Sequence, residues 1–265
     1  RLSGSVDFFY RLTSDMLFAV PVTPSMGYSS YWDNIGDMRN LGIEVVLNGD
    51  IVRTKNVVWS VNANLTWIDN KVLSLPDSRK DYTLNGHEGF INGSTGFLGE
   101  GLPMGYIYMV DYAGVNPNTG ESQWWKKEVK EIENEDGTTT TTTNWVETSE
   151  YSNVSSDLDS RKEFGSSMAK VFGGFGTTLY AYGFDFSIAF DYQLGGKTID
   201  GAYAGYMSSP TSATSGKNYH LDLLNAWTPE NPNSDIPRFQ FGDQYTTSTS
   251  SRFLISSDYL NISNI

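Results

Sequence analysis

The sequence predicts an all-β protein: part of an antiparallel transmembrane β-barrel with long, structured extracellular loops. Three observations point there. Apolar and polar residues alternate with a period of two, one such run continues for eleven residues, and the connections between runs alternate short and long.

The clearest run is Val57 to Trp67. Val57, Trp59, Val61, Ala63, Leu65 and Trp67 form one face, Ser60, Asn62, Asn64 and Thr66 the other, and Val58 is the one exception. Phe184 to Leu194 repeats the pattern, with Phe184, Phe186, Ile188, Phe190, Tyr192 and Leu194 against Asp185, Ser187, Asp191 and Gln193. Leu2, Val6, Phe8, Tyr10 and Leu12 alternate with Ser3, Ser5, Asp7, Arg11 and Thr13, while Phe9 departs from the pattern. Ile43, Val45 and Leu47 begin a fourth strand. The glycine-rich Val171 to Tyr180 and the stretch Arg252 to Ile265 supply a fifth and a sixth.

A soluble sandwich and a membrane barrel both produce this alternation, and strand length separates them. Ordinary strands run about 5–6 residues. Ten steps of about 3.3 Å make roughly 33 Å, which at a tilt near 40° projects to about 25 Å, the height of an outer-membrane apolar band. Asn62, Asn64, Asp185 and Asp191 on the polar face suit a watery lumen.

The connections give direction. Arg53 to Asn56 and Ala181 to Gly183 are tight turns, whereas 14–39, 70–167 and 197–251 are long. Short turns on one side and long loops on the other are the habit of an outer-membrane barrel. Up and down strokes alternate only if all of 70–167 stays outside. Within it, Gly105 to Val110 reads as extended, Asn116 to Gly120 as a turn, and Gln123 to Lys126 with Asn144 to Val146 as the arms of a hairpin whose tip is Asp136-Gly137. Leu221 to Trp227 reads as helical, stopped by Pro229 and Pro232.

Composition narrows the function. The 265 residues carry 31 acidic and 18 basic side chains, a net charge of −13. Such a surface repels phosphate backbones, so no nucleic-acid partner is expected. The absence of cysteine excludes disulfides, thiol catalysis and thiolate metal sites. The first residues show no signal-peptide pattern, and no apolar run is long enough for a transmembrane helix.

No catalytic residue, metal site or cofactor is expected. His87 and His220 lie in loops without a cluster of ligands, and Asp157/Asp159 have a spacing that says nothing about glycoside hydrolysis. Glu128, Glu131, Glu133, Glu135 and Asp136 lack the spacing of a calcium loop. Gly173-Gly174 and Gly195-Gly196 precede no helix and suit strand curvature or close packing better than a phosphate cradle.

Binding has better candidates. Trp124, Trp125 and Trp145 in the hairpin can stack on sugar rings or pack a partner, or simply hold the hairpin to its neighbours. Asn62, Asn64, Asp185, Asp191 and Gln193 on the lumen face can bond a hydroxyl-rich or peptide substrate, or the interior of the barrel. Trp59, Trp67, Phe184 and Tyr192 fit contact with outer-membrane lipid.

Several stretches resemble the SusC/RagA-type TonB-dependent outer-membrane transporters of Bacteroidetes. They are Asn34-Ile35-Gly36 through Asn40-Leu41-Gly42-Ile43-Glu44, Trp59-Ser60-Val61-Asn62, Asn70-Lys71-Val72, Gly101 to Gly105, and Gly114 to Gly120. Val171 to Phe175, Tyr182 to Phe186, Tyr192 to Gly196, Ala226 to Asn231 and Asp258-Tyr259-Leu260 continue the series in family order. A proline common in the family is replaced by Ala169. The resemblance implies a C-terminal region of the barrel without its plug and N-terminal extension. With about 22 strands in such a barrel, six crossings are roughly a quarter of the wall, and the remaining strands are expected from sequence outside these 265 residues. It also implies an outer-membrane location in a Gram-negative bacterium and active import of an oligosaccharide or, in some members, a peptide. The implied partners are a SusD-like surface lipoprotein and the TonB complex. A surface-exposed β-rich glycan-binding or adhesin module remains the alternative, and detergent dependence of the full-length parent separates the two. A β-rich glycoside hydrolase is a third reading, one that turnover of glycans would reveal.

Overall fold

The structure, a computed structural model, describes residues 1–21, 30–34, 36–133, 139–210, 216–243, 246 and 248–265. In chain order, β1 (Leu2–Thr13) is followed by a hairpin of β2 (Leu17–Pro21) and β3 (Ser30–Asn34), then by β4 (Asp37–Arg53) and β5 (Val57–Ser74). Next come β6 (Tyr82–Leu84), β7 (His87–Asn92), β8 (Gly96–Gly99), β9 (Tyr106–Val110), β10 (Tyr112–Val115), β11 (Ser122–Glu133) and β12 (Thr139–Thr148). Helix α1 (Tyr151–Ser155) leads to β13 (Arg161–Ser166), β14 (Val171–Ala181), β15 (Phe184–Leu194) and β16 (Lys197–Ile199). Helix α2 (Gly201–Met207), β17 (Leu254–Ser256) and β18 (Tyr259–Asn264) complete the chain.

Six strands form one antiparallel sheet in the order β1-β4-β5-β14-β15-β18. Because β5 pairs directly with β14, residues 75–170 leave the sheet and return beside the strand they left. The register sorts side chains by face. Gly4, Leu47, Ala63, Phe175 and Phe190 stand in one row; Ser5, Val46, Asn64, Gly174 and Asp191 stand in the next, on the opposite face. The apolar face is uncovered, with Phe8 75% and Phe184 80% exposed, as a surface whose neighbour is lipid requires. At one end the turns are tight. β14 and β15 are joined by Tyr182 (φ 51°) and Gly183 (φ 91°), the two left-handed residues of a type I′ turn, and the Tyr182 amide donates to the Asn56 carbonyl in the neighbouring turn at 3.0 Å.

Three expectations change. β5 runs seven residues past Trp67 to Ser74, and β4 starts at Asp37, so the ends placed in the 14–39 and 70–167 loops are strand. β5 is thus about 56 Å long at about 3.3 Å per residue, and its upper part stands clear of an apolar band about 25 Å high. The stretch Arg252 to Ile265 is not one strand: β17 pairs with β16 in a separate two-stranded sheet, and only β18 joins the wall. The helix expected at Leu221 to Trp227 is a 3-10 turn over Leu221–Asn225. The hairpin of β11 and β12 forms as expected, while its tip at Asp136-Gly137, like Ile35, lies outside the described residues.

Above the wall, a five-stranded sheet (β13-β9-β8-β7-β6) and a three-stranded sheet (β10-β11-β12) build an outer domain. Alternation along β7 and β8 covers the larger sheet on both faces. Phe90 and Leu98 pack with Leu75 and with Val72 of β5, while Phe97 packs with Leu84 and Tyr108. Val72 lies on the same face of β5 as Asn62 and Asn64. The outer domain is therefore rooted on the polar side of the wall.

Candidate functional site: a polar wall and a cleft at the hairpin base

The wall's polar face gathers three of its five expected residues. Asn64 and Asp191 flank Gly174, and Asn62 flanks Gly176, so two absent side chains leave a trough edged by amide and carboxylate oxygens. The Asn64 side-chain oxygen accepts from the Gly174 amide at 3.0 Å. Gln193 sits apart at the rim, donating to Ser257, and Asp185 lies beside the Tyr182-Gly183 turn, opposite Tyr180. Six residues of strand, about 20 Å, separate it from Asp191.

The three tryptophans separate as well. Trp124 is 1% exposed and packs with Val110, Val154 and, edge to face at 4.9 Å, Tyr151, so its ring belongs to the core and offers no open face to a ligand. Trp125 and Trp145 turn the other way. The Lys162 ammonium lies over both rings, 5.1 Å and 4.6 Å from their centroids, and pairs with Asp111 at 2.9 Å. Trp145 stays 39% exposed.

Trp145 borders a cleft of about 500 Å³ between the hairpin base and the five-stranded sheet. Tyr82, Lys127, Asp159, Arg161 and Glu163 share its walls. Two hydrogen bonds bring these elements together: the Lys127 amide donates to the Ser160 hydroxyl at 2.9 Å, and the Tyr82 phenol donates to Asp159 at 2.8 Å. Glu163 accepts from the Asn85 amide and the Tyr106 phenol. Burial, the Tyr108 contact and Asp159 together push the Tyr82 phenol well above its usual range, and burial with Glu163 pushes Tyr106 up to about 12. Both phenols are thus fixed donors at neutral pH.

The cleft residues other than Trp145 and Asp159 went unnoticed in the sequence. They come from four separated stretches, and the one local signal was Asn85-Gly86, a type I′ hairpin dipeptide with φ 49° and 86° that aims Asn85 at Glu163. Asp157 of the Asp157/Asp159 pair caps a turn, accepting from the Asp159 amide and the Ser160 hydroxyl. His87 bonds the Glu100 carbonyl, and His220 caps the turn at Asp222. Among the described residues there is no group of three or more His, Cys, Asp or Glu able to hold a metal, and no helix is long and apolar enough to cross a membrane.

Residues 1–120 match the family model described as TonB dependent receptor-like, beta-barrel. TonB-dependent receptor P3 of Formosa agariphila is 26% identical over 273 residues, taking in 100% of this chain and 25% of that relative. TonB-dependent receptor SusC of Bacteroides thetaiotaomicron is 30% identical over 76 residues, 28% of this chain and 8% of that relative. Among solved structures, the RagAB peptide transporter superposes with a TM-score of 0.70 at 27% identity, over 98% of this chain and 26% of that chain. The chain spans about a quarter of the length of P3 and of that transporter chain.

Proposed function

Because this chain is part of the β-barrel of a TonB-dependent receptor of the SusC/RagA type, we propose that it forms wall, lumen surface and outer loops of an outer-membrane importer of oligosaccharides, with peptides as the second cargo class. The family is one of outer-membrane transporters and receptors, not enzymes. In this reading, 75–170 and 197–251 face the outside, a SusD-like lipoprotein closes over them, and TonB energises release through parts of the protein beyond this chain. The carrying observation is the six-stranded sheet with one uncovered apolar face, one polar face, and all long excursions at the same end. The family resemblance implies a saccharide cargo, and the name of the RagAB peptide transporter supports the peptide class.

The test is fractionation of cells making the full-length parent, followed by uptake of labelled oligosaccharides and peptides with and without TonB. Recovery in the outer membrane with TonB-dependent uptake is expected. A parent recovered without detergent in the soluble fraction overturns the proposal in favour of a surface-binding module.

A further inference from the structure

The apolar face of the wall is dented at one place. Leu2, Gly49, Val61 and Thr177 form the row next to Gly4, Leu47, Ala63, Phe175 and Phe190, on its tight-turn side and on the same face. Gly49 and Ala63 add almost no bulk to the floor. Leu2 and Ile51 rise on one side of it, and the Phe175 and Phe190 rings, stacked 4.8 Å apart, rise on the other. Between them lies a groove of about 480 Å³. The hydroxyl on its floor, that of Thr177, is already engaged: it accepts from the Trp59 indole at 2.7 Å and donates to the Ser60 carbonyl at 3.0 Å.

Packing of the wall does not require the glycine that opens this groove. At Gly4, Gly42 and Gly173 an added methyl group would collide with the Val46 backbone, the Phe9 ring and the Asn64 backbone, so the sheet itself excludes a side chain there. At Gly49 the nearest atom to such a group is Leu2 Cδ1 at 3.5 Å, an ordinary contact, and the backbone is not left-handed. A strand glycine costs stability. Gly49 therefore keeps open a space that its neighbours would allow to be filled.

We propose that this groove holds one acyl chain of a membrane phospholipid as a specific ligand, distinct from the exchanging lipid around the rest of the barrel. The proposal rests on the outer-membrane reading, because the groove is continuous with the apolar face that this reading sets against lipid. Inside a bilayer apolar groups gain little from the loss of water, so van der Waals contact decides where a chain resides. A flat wall meets a chain on one side, whereas the groove meets it on the floor and both flanks. With its hydroxyl engaged, the groove suits a flexible hydrocarbon that brings no polar group of its own to satisfy. Its lining reaches from Leu47 and Ala63 down to Ile51 near the tight turns, so the chain enters from the leaflet on that side.

The test places the full-length parent in phosphatidylcholine vesicles with a trace of phosphatidylcholine bearing a diazirine midway along one acyl chain. After photolysis, labelled residues are mapped by mass spectrometry. Label at Val61, Ala63 and Phe175 is expected to exceed severalfold that at Val6 and Leu260, which are exposed on the same face outside the groove. Gly49→Leu, which fills the groove, is expected to reduce the excess to the level of the surrounding face. Ala63→Leu fills it from the neighbouring strand and gives the same readout at Val61 and Phe175 should the first variant fail to fold. Even labelling across the face, or an excess that survives both substitutions, overturns the proposal and leaves the membrane reading intact. Label missing from the groove alone, as a second copy seated there would produce, overturns it too. Label at neither set of residues overturns the membrane reading along with it.

Discussion

The Trp227 indole lies against Gly120, in the space a side chain at that position would fill, and its ring nitrogen donates to the Pro117 carbonyl at 3.0 Å. Two loop segments over a hundred residues apart meet there. Arg238 adds to the clasp, donating from its backbone to the Gly120 carbonyl and from its guanidinium to the Thr119 carbonyl, with Glu121 at 3.3 Å. The stretches Gly114 to Gly120 and Ala226 to Asn231, both part of the family resemblance, are thus the two halves of one contact.

Gly120→Ala is expected to open this clasp. The residue has φ 73°, where an alanine costs about 1–3 kcal/mol, and the added methyl group meets the Trp227 ring. Hydrogen exchange on the full-length protein should show faster exchange at Trp227 and Arg238, with the strands of the wall unchanged.

Leu98→Ala is expected to loosen the outer domain by about 2–5 kcal/mol, because Leu98 is 1% exposed in the cluster with Val72, Leu75 and Phe90. Limited proteolysis should then cut within 75–166 while the barrel stays resistant to heat in detergent. Loss of both together would show that wall and outer domain unfold as one unit.

Gly173→Ala is expected to weaken the wall itself. The Tyr192 phenol lies across Gly173 and donates to the Asn64 carbonyl at 3.1 Å, and a methyl group on Gly173 would collide with both the phenol and that carbonyl. Tyr192→Phe removes one obstacle and leaves the backbone one. The double variant should therefore recover only part of the lost thermal stability, read by the heat-dependent mobility shift of the barrel on gels.

Alkaline pH is expected to destabilise the outer domain. The phenols of Tyr82 and Tyr106 have folded pKa values raised above the unfolded value near 10, mainly by burial and then by their hydrogen bonds. The stability they contribute is complete below pH 10 and declines as pH rises, for Tyr106 through about 12, because the unfolded chain releases its proton first. Tyrosinate absorbance should rise late and together with loss of outer-domain structure. Tyr106→Phe should move that transition.

What the sequence revealed depended on whether neighbours in the chain decided the structure. The wall strands were legible because a two-residue period needs only the strand itself, and the return of the chain at Val171 followed from counting strokes. Above Trp67 the rule inverts. Val72 is apolar on the polar face, because Phe90 and Leu98 cover that face there. The division within Arg252 to Ile265 lies near Asp258, whose carboxylate accepts from the distant Gly195 amide at 2.6 Å. Trp124 and Trp125 are adjacent and identical in type, and what distinguishes them is Val154 on one side of β11 and Lys162 on the other. The cleft was hidden for the same reason: Tyr82, Lys127 and Arg161 are brought together only by sheet order.

From Val57 to Ser74, β5 contains neither glycine nor proline. Its lower part is hydrogen-bonded into the wall on both sides, and Val72 near its upper end is locked into the outer domain, so the strand works as a cantilever anchored in the membrane. A cantilever of this kind transmits tilt but supplies no pivot. Leu75, just past Ser74, is buried in the same cluster as Val72, Phe90 and Leu98, so any change in the tilt of β5 passes directly into the five-stranded sheet.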